Sequence, residues 1–252
     1  MNSFILLAAD KSIADALGEA LKPQKVDVFG LTLSSSVISA FLATLLVTAI
    51  CLVLRFVFLK EIKTVPKGMR LVLEKAVGFF DNVAKSAGSA AKFVSPVIFG
   101  AAVFIFFGTF IEMFGFRPVF SSLSAGIAVG IVGFSAIQSL GIKEKGVKAR
   151  IKTQFDGGGN KPSQRILGII VGFFKTLSDF ILPFSMALRL FGSILSGMLI
   201  MEIIYFALEA LWIPLAAFVP SVFSVMFTLL HAVIQAYVFA LLVSMFTGEA
   251  TE

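Results

Sequence analysis

The chain has 252 residues, 58% of them hydrophobic, and a mean hydropathy of +0.99, so its surplus apolar side chains must face lipid and not water. The length fits one integral domain and argues against a string of soluble modules. The net charge of +6 comes from 21 Lys and Arg against 15 Asp and Glu, but the cations fall between long apolar runs, which is a topology signal and excludes nucleic-acid binding.

Residues 1–30 are mixed and polar, and their short apolar stretch Phe4 to Ala9 has no preceding cation, which makes a poor signal peptide. Residues 31–59 are the first run long enough to cross a bilayer. Its one charge, Arg55, lies near the end and can snorkel to the interface. The lone Cys51 is a small packed side chain there; it has neither a disulfide partner nor a Cys/His cluster for a metal, and no cofactor is expected.

In residues 60–92, seven cations alternate with Leu71, Val72, Ala76, Phe79, Phe80 and Val83. This pattern predicts an amphipathic helix lying on the membrane surface, with Pro66 near its start. Residues 93–142 hold two more spans: 93–115 with Glu112, a turn at Arg117-Pro118, and 119–142 with Gly126 and Gly130 spaced for close helix contact. Residues 143–165 form a loop with seven cations and the flexible tract Gly157-Gly158-Gly159-Asn160. That tract lacks the Lys-Ser/Thr pair and preceding strand of a phosphate-binding loop.

The apolar stretches 166–208 and 211–247 each exceed the ~20 residues of a perpendicular span, so each is either kinked or strongly tilted. A short tail, 248–252, follows. The cation-rich segments 60–92 and 143–165 share the inner side, which leaves residues 1–30 outside and the C-terminus inside after five crossings. The predicted fold is an all-α polytopic membrane protein with about five membrane helices and one amphipathic surface helix.

Ionisable residues within spans are costly and mark ion paths. The last two stretches carry Lys175, Asp179, Arg189, Glu202 and His231, with Glu209 at the edge of the first, and the second span adds Glu112. Arg189 is too deep to snorkel and keeps its charge under any plausible condition. A structural ion pair with Asp179 or Glu202 is the plain alternative to a functional role. At ~100° per residue, Met198, Glu202 and Glu209 lie about 180–220° round the helix from Arg189, so the acids share a face that the arginine does not. His231 and Gln235, spaced i, i+4, share a face with Thr228.

Pro183-Phe184-Ser185-Met186-Ala187-Leu188-Arg189-Leu190-Phe191-Gly192, with Ser193 to Gly197 after it, resembles the "P-x-S-x-x-L-R-L-F-G-N-x-x-x-G" signature of subunit a of the F-type ATP synthase. Ile234-Gln235-Ala236-Tyr237-Val238-Phe239 resembles that family's "I-Q-A-Y-V-F". Val65 to Gly68 with Glu74 and Gly78-Phe79, and the turn Gly115 to Pro118, add support over residues 28–247.

The resemblance implies that the last two helices form a tilted hairpin against a ring of c subunits, with Arg189 separating two half-channels for protons or Na+. It implies membrane lipid, the c-ring, a peripheral stalk of the b type and other Fo subunits as partners, in an energy-coupling membrane, bacterial or mitochondrial. Alone such a subunit catalyses nothing. An ion-coupled secondary transporter is the competing expectation, and it would show an internal repeat, which this sequence lacks.

Within the resemblance, Gln235 would sit across the hairpin near Arg189. Glu202, Glu209, Glu112 and His231 would line the outer half-channel. Asp179 and Lys175 would lie toward the inner side, and Ser185, Ser193 and Thr228 would support. The chain departs from the family pattern at Ser193, Met198, Thr228 and Glu112, as if polar groups had moved by about one turn.

Overall fold

The computed structural model describes residues 25–28, 31–58, 68–146, 162–209 and 213–251. The expected outer segment up to residue 24, the cations Lys60, Lys63 and Lys67 with Pro66, and the glycine tract of the basic loop lie outside the described residues.

The chain enters through a short antiparallel pair, β1 (Lys25–Val28) and β2 (Leu31–Ser34), with Lys25 opposite Ser34 and Val28 opposite Leu31. The first membrane helix therefore begins at Ser35 and not at residue 31. The Leu31-Thr32-Leu33-Ser34 alternation has the period of a strand, and Ser34 keeps extended backbone angles (φ −69°, ψ 138°) where the helix starts. Helix α1 (Ser35–Val53) runs on as a π turn, Leu54–Phe58. Its Thr44 and Thr48 hydroxyls donate to carbonyls four residues back at 2.8 Å, so an exposed helix face carries no unpaired hydroxyl into lipid.

Helix α2 (Met69–Ala84) is the amphipathic segment. A 3-10 stretch, Lys85–Ala90, joins it to α3 (Ala91–Phe110). Gly88 stands in that stretch at φ 59°, ψ −126°, a conformation open to glycine, and it marks the kink between α2 and α3. Helix α3 continues as a 3-10 turn, Ile111–Phe114, closed by Gly115 at φ 82°. After Val119–Ser121 comes α4 (Leu123–Lys145).

The two long apolar stretches are α5 (Pro162–Glu209, 48 residues) and α6 (Ile213–Thr251, 39 residues), continuous through Pro183 and Pro220. At ~1.5 Å per residue these helices are roughly 72 and 58 Å long. A hydrocarbon core of ~30 Å accommodates such lengths only by strong tilt or by projection beyond the bilayer. The expected tail is helical almost to its end, since α6 runs to Thr251.

Among the described residues, five helical stretches are long and apolar enough to cross a membrane. The protein is an all-α polytopic membrane protein apart from the short β pair. Its core lies where α3, α4, α5 and α6 meet, around Ile98, Ile105, Phe120, Met186, Ile194, Phe239 and Val243. Outward, Phe41, Phe56, Phe180 and Phe218 are each at least 67% exposed, a surface that water would penalise and lipid accepts.

Glycines set the tightest contact. A Cβ on Gly126 would lie 2.9 Å from the Ala187 carbonyl oxygen, and one on Gly130 would lie 2.5 Å from that of Pro183. The backbones of α4 and α5 thus meet at the predicted glycine pair.

One end of the bundle gathers residues expected on the inner side. The Lys143 ammonium lies 4.0 Å from the centre of the Phe93 ring, and Lys175 pairs with Glu249 at 3.4 Å. Ser244 donates to the Val83 carbonyl at 2.8 Å, and Ser95 of α3 donates to Asp81 of α2. Helix α2 is thereby fixed to the same end as the C-terminus of α6. Glu112 and the Gly115–Pro118 turn lie at the other end of α3.

Candidate functional site

Arg189 lies past the midpoint of α5, two residues beyond the Gly126 contact at Ala187. Leu182, Met186, Ala187, Leu190 and Ile194 turn inward and are buried, while Ser185, Leu188, Arg189, Gly192 and Ser196 share the exposed face. Among the described residues, no carboxylate lies within ion-pair distance of the guanidinium. The surface around it is unusually low: a Cβ on Gly192 would meet nothing within 4 Å. The Ser193 and Ser196 hydroxyls are turned onto their own helix, donating to Leu190 and Ser193 carbonyls at 3.0 and 2.8 Å.

A second polar site lies where the C-terminal end of α3 meets α5 and α6. Glu112 and Thr109 reach it from α3 and its 3-10 extension; Ser224, Thr228 and His231 come from α6. Ile194, Gly197, Met198 and Met201 of α5 close it on the apolar side. The Thr228 hydroxyl reaches toward a Glu112 carboxylate oxygen at 3.5 Å, a long contact. The His231 ring stacks on Phe227 with centroids 5.6 Å apart. Phe227 in turn presses on Gly197, where any side chain would collide with the ring. Thr109 Oγ1 and His231 Nε2 are buried without a hydrogen-bond partner among the described residues.

The helical phase read from the sequence accounts for this division. Met198, half a turn round from Arg189, lines the cavity, while Arg189 stays on the outer face. The structure brings Glu112, Thr228 and His231 together. Gln235 is 7% exposed on α6, one turn beyond His231. Among the described residues, no hydrogen bond joins Gln235 to Arg189.

Asp179 is half-buried on α5 at the turn before Pro183, and Lys175, one turn further back, is the partner of Glu249. Glu202 and Glu209 belong to α5, but their side chains lie outside the described residues. Thr109 and Ser224 were not singled out in the sequence. The signal was present in spacing: Thr109 is three residues before Glu112, and Ser224, Thr228, His231 and Gln235 run i, i+4, i+7, i+11 down one face.

Fold and site together define a polytopic integral membrane protein that holds ionisable groups within its spans. The sequence profile described as ATP synthase A chain matches residues 39–248. ATP synthase subunit a 3 of Pelobacter propionicus is 30% identical over 226 residues, covering 88% of this chain and 91% of that one. The subunit a proteins of Geotalea uraniireducens and Geobacter sulfurreducens are each 28% identical, over 230 and 224 residues, with the same coverage. The chain belongs to the ATP synthase subunit a family, membrane subunits of an ATP-synthesising, ion-transporting complex that are not catalytic alone.

Proposed function

We propose that this chain is the stator ion channel of a rotary ATP synthase, with Arg189 as the fixed charge between two half-channels. The observation that carries the reading is the exposed guanidinium, deep in a membrane helix, without a carboxylate of its own chain at ion-pair distance among the described residues. A bare cation in lipid is costly, and on this reading its partner comes from another chain. The low surface at Gly192 favours a helix that approaches closely and moves past.

A ring of c subunits with a lipid-buried carboxyl is that partner. At ~4 Å and an effective dielectric constant of ~20, the arginine stabilises a carboxylate by about 4 kcal/mol, close to a thousandfold in its ionisation equilibrium. The carboxyl releases its ion as it reaches Arg189, and it must be neutral again to re-enter lipid. The same positive charge repels a cation that would leak directly between the half-channels.

The outer half-channel passes Glu112, Thr228 and His231, with Glu202 and Glu209 on the neighbouring helix. The inner one opens near Asp179 and the Lys175–Glu249 pair. Gln235 lies on α6 between them, and Ser185 and Ser193 keep the helix surface small beside the arginine. The Fo partners are the c-ring and a peripheral stalk of the b type. The bacterial relatives support a plasma-membrane location.

Arg189→Ala in the complete complex, reconstituted in vesicles, tests the reading. Proton-driven ATP synthesis falls by more than about a hundredfold while the c-ring still copurifies. Synthesis at the unsubstituted rate would overturn the proposal.

A further inference from the structure

The cavity between α3, α5 and α6 contains two orphaned polar atoms that face the same small space. Thr109 is 1% exposed, and its hydroxyl has no partner among the described residues; His231 Nε2 is buried in the same condition. Both residues line the cavity together with Glu112 and Thr228. Leaving two such atoms unpaired costs about 1–3 kcal/mol each. The open space there has room for the centre of about one water molecule, and a water needs two to four polar partners. Thr109, Glu112, Thr228 and His231 supply that number.

We propose that this cavity holds one water, positioned by Thr109, that relays a proton between Glu112 and His231. The inference rests on the half-channel reading above and adds the path inside it. The relay conserves atoms and charge. The Glu112 carboxyl O–H bond breaks as an O–H bond forms to the water. A different O–H bond of that water breaks as an N–H bond forms at His231 Nε2. Glu112 is left as carboxylate and His231 as imidazolium, and the water is regenerated. Neutral His231 with its proton on Nδ1 presents Nε2 as the acceptor.

Thr109 is a positioning residue: its hydroxyl holds the water between acid and base and exchanges no proton itself. Met198 and Met201 line the apolar side of the same small space. One turn further along α6, Gln235 continues the polar face toward the level of Arg189.

The test uses the complete ATP synthase in vesicles. Thr109→Val replaces the hydroxyl by a methyl at nearly constant shape; Thr109→Ala serves the same purpose should the valine variant fail to assemble. The expected result is a fall in proton-driven ATP synthesis of about tenfold, corresponding to about 1.4 kcal/mol of barrier. The fall comes with a larger slowing in heavy water than the unsubstituted complex shows, and with recovery in Thr109→Ser. An unchanged rate in Thr109→Val or Thr109→Ala, or no recovery in Thr109→Ser, would overturn the relay. If Glu112→Gln still inhibits in that event, the half-channel survives without it. If Arg189→Ala is also without effect, the channel reading itself fails.

Discussion

Arg189 and Gly192 occupy one exposed face of α5, and they pose different requirements. The arginine needs an anion. The glycine needs nothing from its own chain, because a side chain there would touch no atom within 4 Å. Its absence of bulk has a purpose only if something outside the chain approaches. Gly192→Leu therefore separates internal packing from external contact. Leucine favours a helix by about 0.8–1.0 kcal/mol over glycine, so the thermal stability of the subunit in detergent is expected to hold or rise. ATP synthesis in vesicles is expected to fall several-fold, because the added isobutyl group stands where the ring helices pass. Equal synthesis rates would show that the face is not a sliding contact.

The Lys175–Glu249 pair shows the opposite case of a charge that matters little for stability. Its side chains are 41% and 57% exposed, so the ion pair contributes well under about 1 kcal/mol. Glu249→Gln is expected to leave the melting temperature nearly unchanged.

At the scale of elements, the decisive contact is backbone against backbone. Gly130 on α4 and Pro183 on α5 meet with no space for a Cβ, since one would stand 2.5 Å from a carbonyl oxygen that belongs to a helix and cannot swing away. Gly130→Ala is expected to force α4 off α5 at a cost of about 1–3 kcal/mol, visible as earlier thermal unfolding of the detergent-solubilised complex. It should also weaken coupling, because α4 supports the segment of α5 that presents Arg189. Gly88→Ala acts by another route. Nothing surrounds its missing Cβ, so the cost is the left-handed backbone alone, again about 1–3 kcal/mol. The glycine pair was legible as a spacing in the sequence, but spacing alone did not name its partner. Only the packed helices connect Gly126 to Ala187 and Gly130 to Pro183.

The β pair was missed because four alternating residues, Leu31 to Ser34, adjoin a long apolar run whose overall hydropathy conceals their period.

Across the whole molecule, the contacts of Lys143 with Phe93, of Ser244 with Val83 and of Lys175 with Glu249 gather the surface helix, the end of α4 and the C-terminus at one end. The turn Gly115 to Pro118 lies at the other. In a Cys51→Ser background, Phe116→Cys and Glu249→Cys are expected to react with a membrane-impermeant maleimide from opposite sides. Phe116 is 48% exposed and Glu249 57%, so both thiols would be reachable. Labelling of both from one side would overturn the five-crossing topology.

The amino-acid sequence by itself determined that this chain lives in lipid, that five stretches are long enough to cross, and that Arg189 and Met198 stand on opposite sides of one helix. Those are properties of composition and helical period, and they are local along the chain. It did not determine which polar residues share a cavity. Thr109 and His231 are 122 residues apart (231 − 109) and meet only because α3 and α6 pack side by side. Helix packing is set by the fit of many side chains at once, and a pattern read along one helix contains no information about the neighbour it will face.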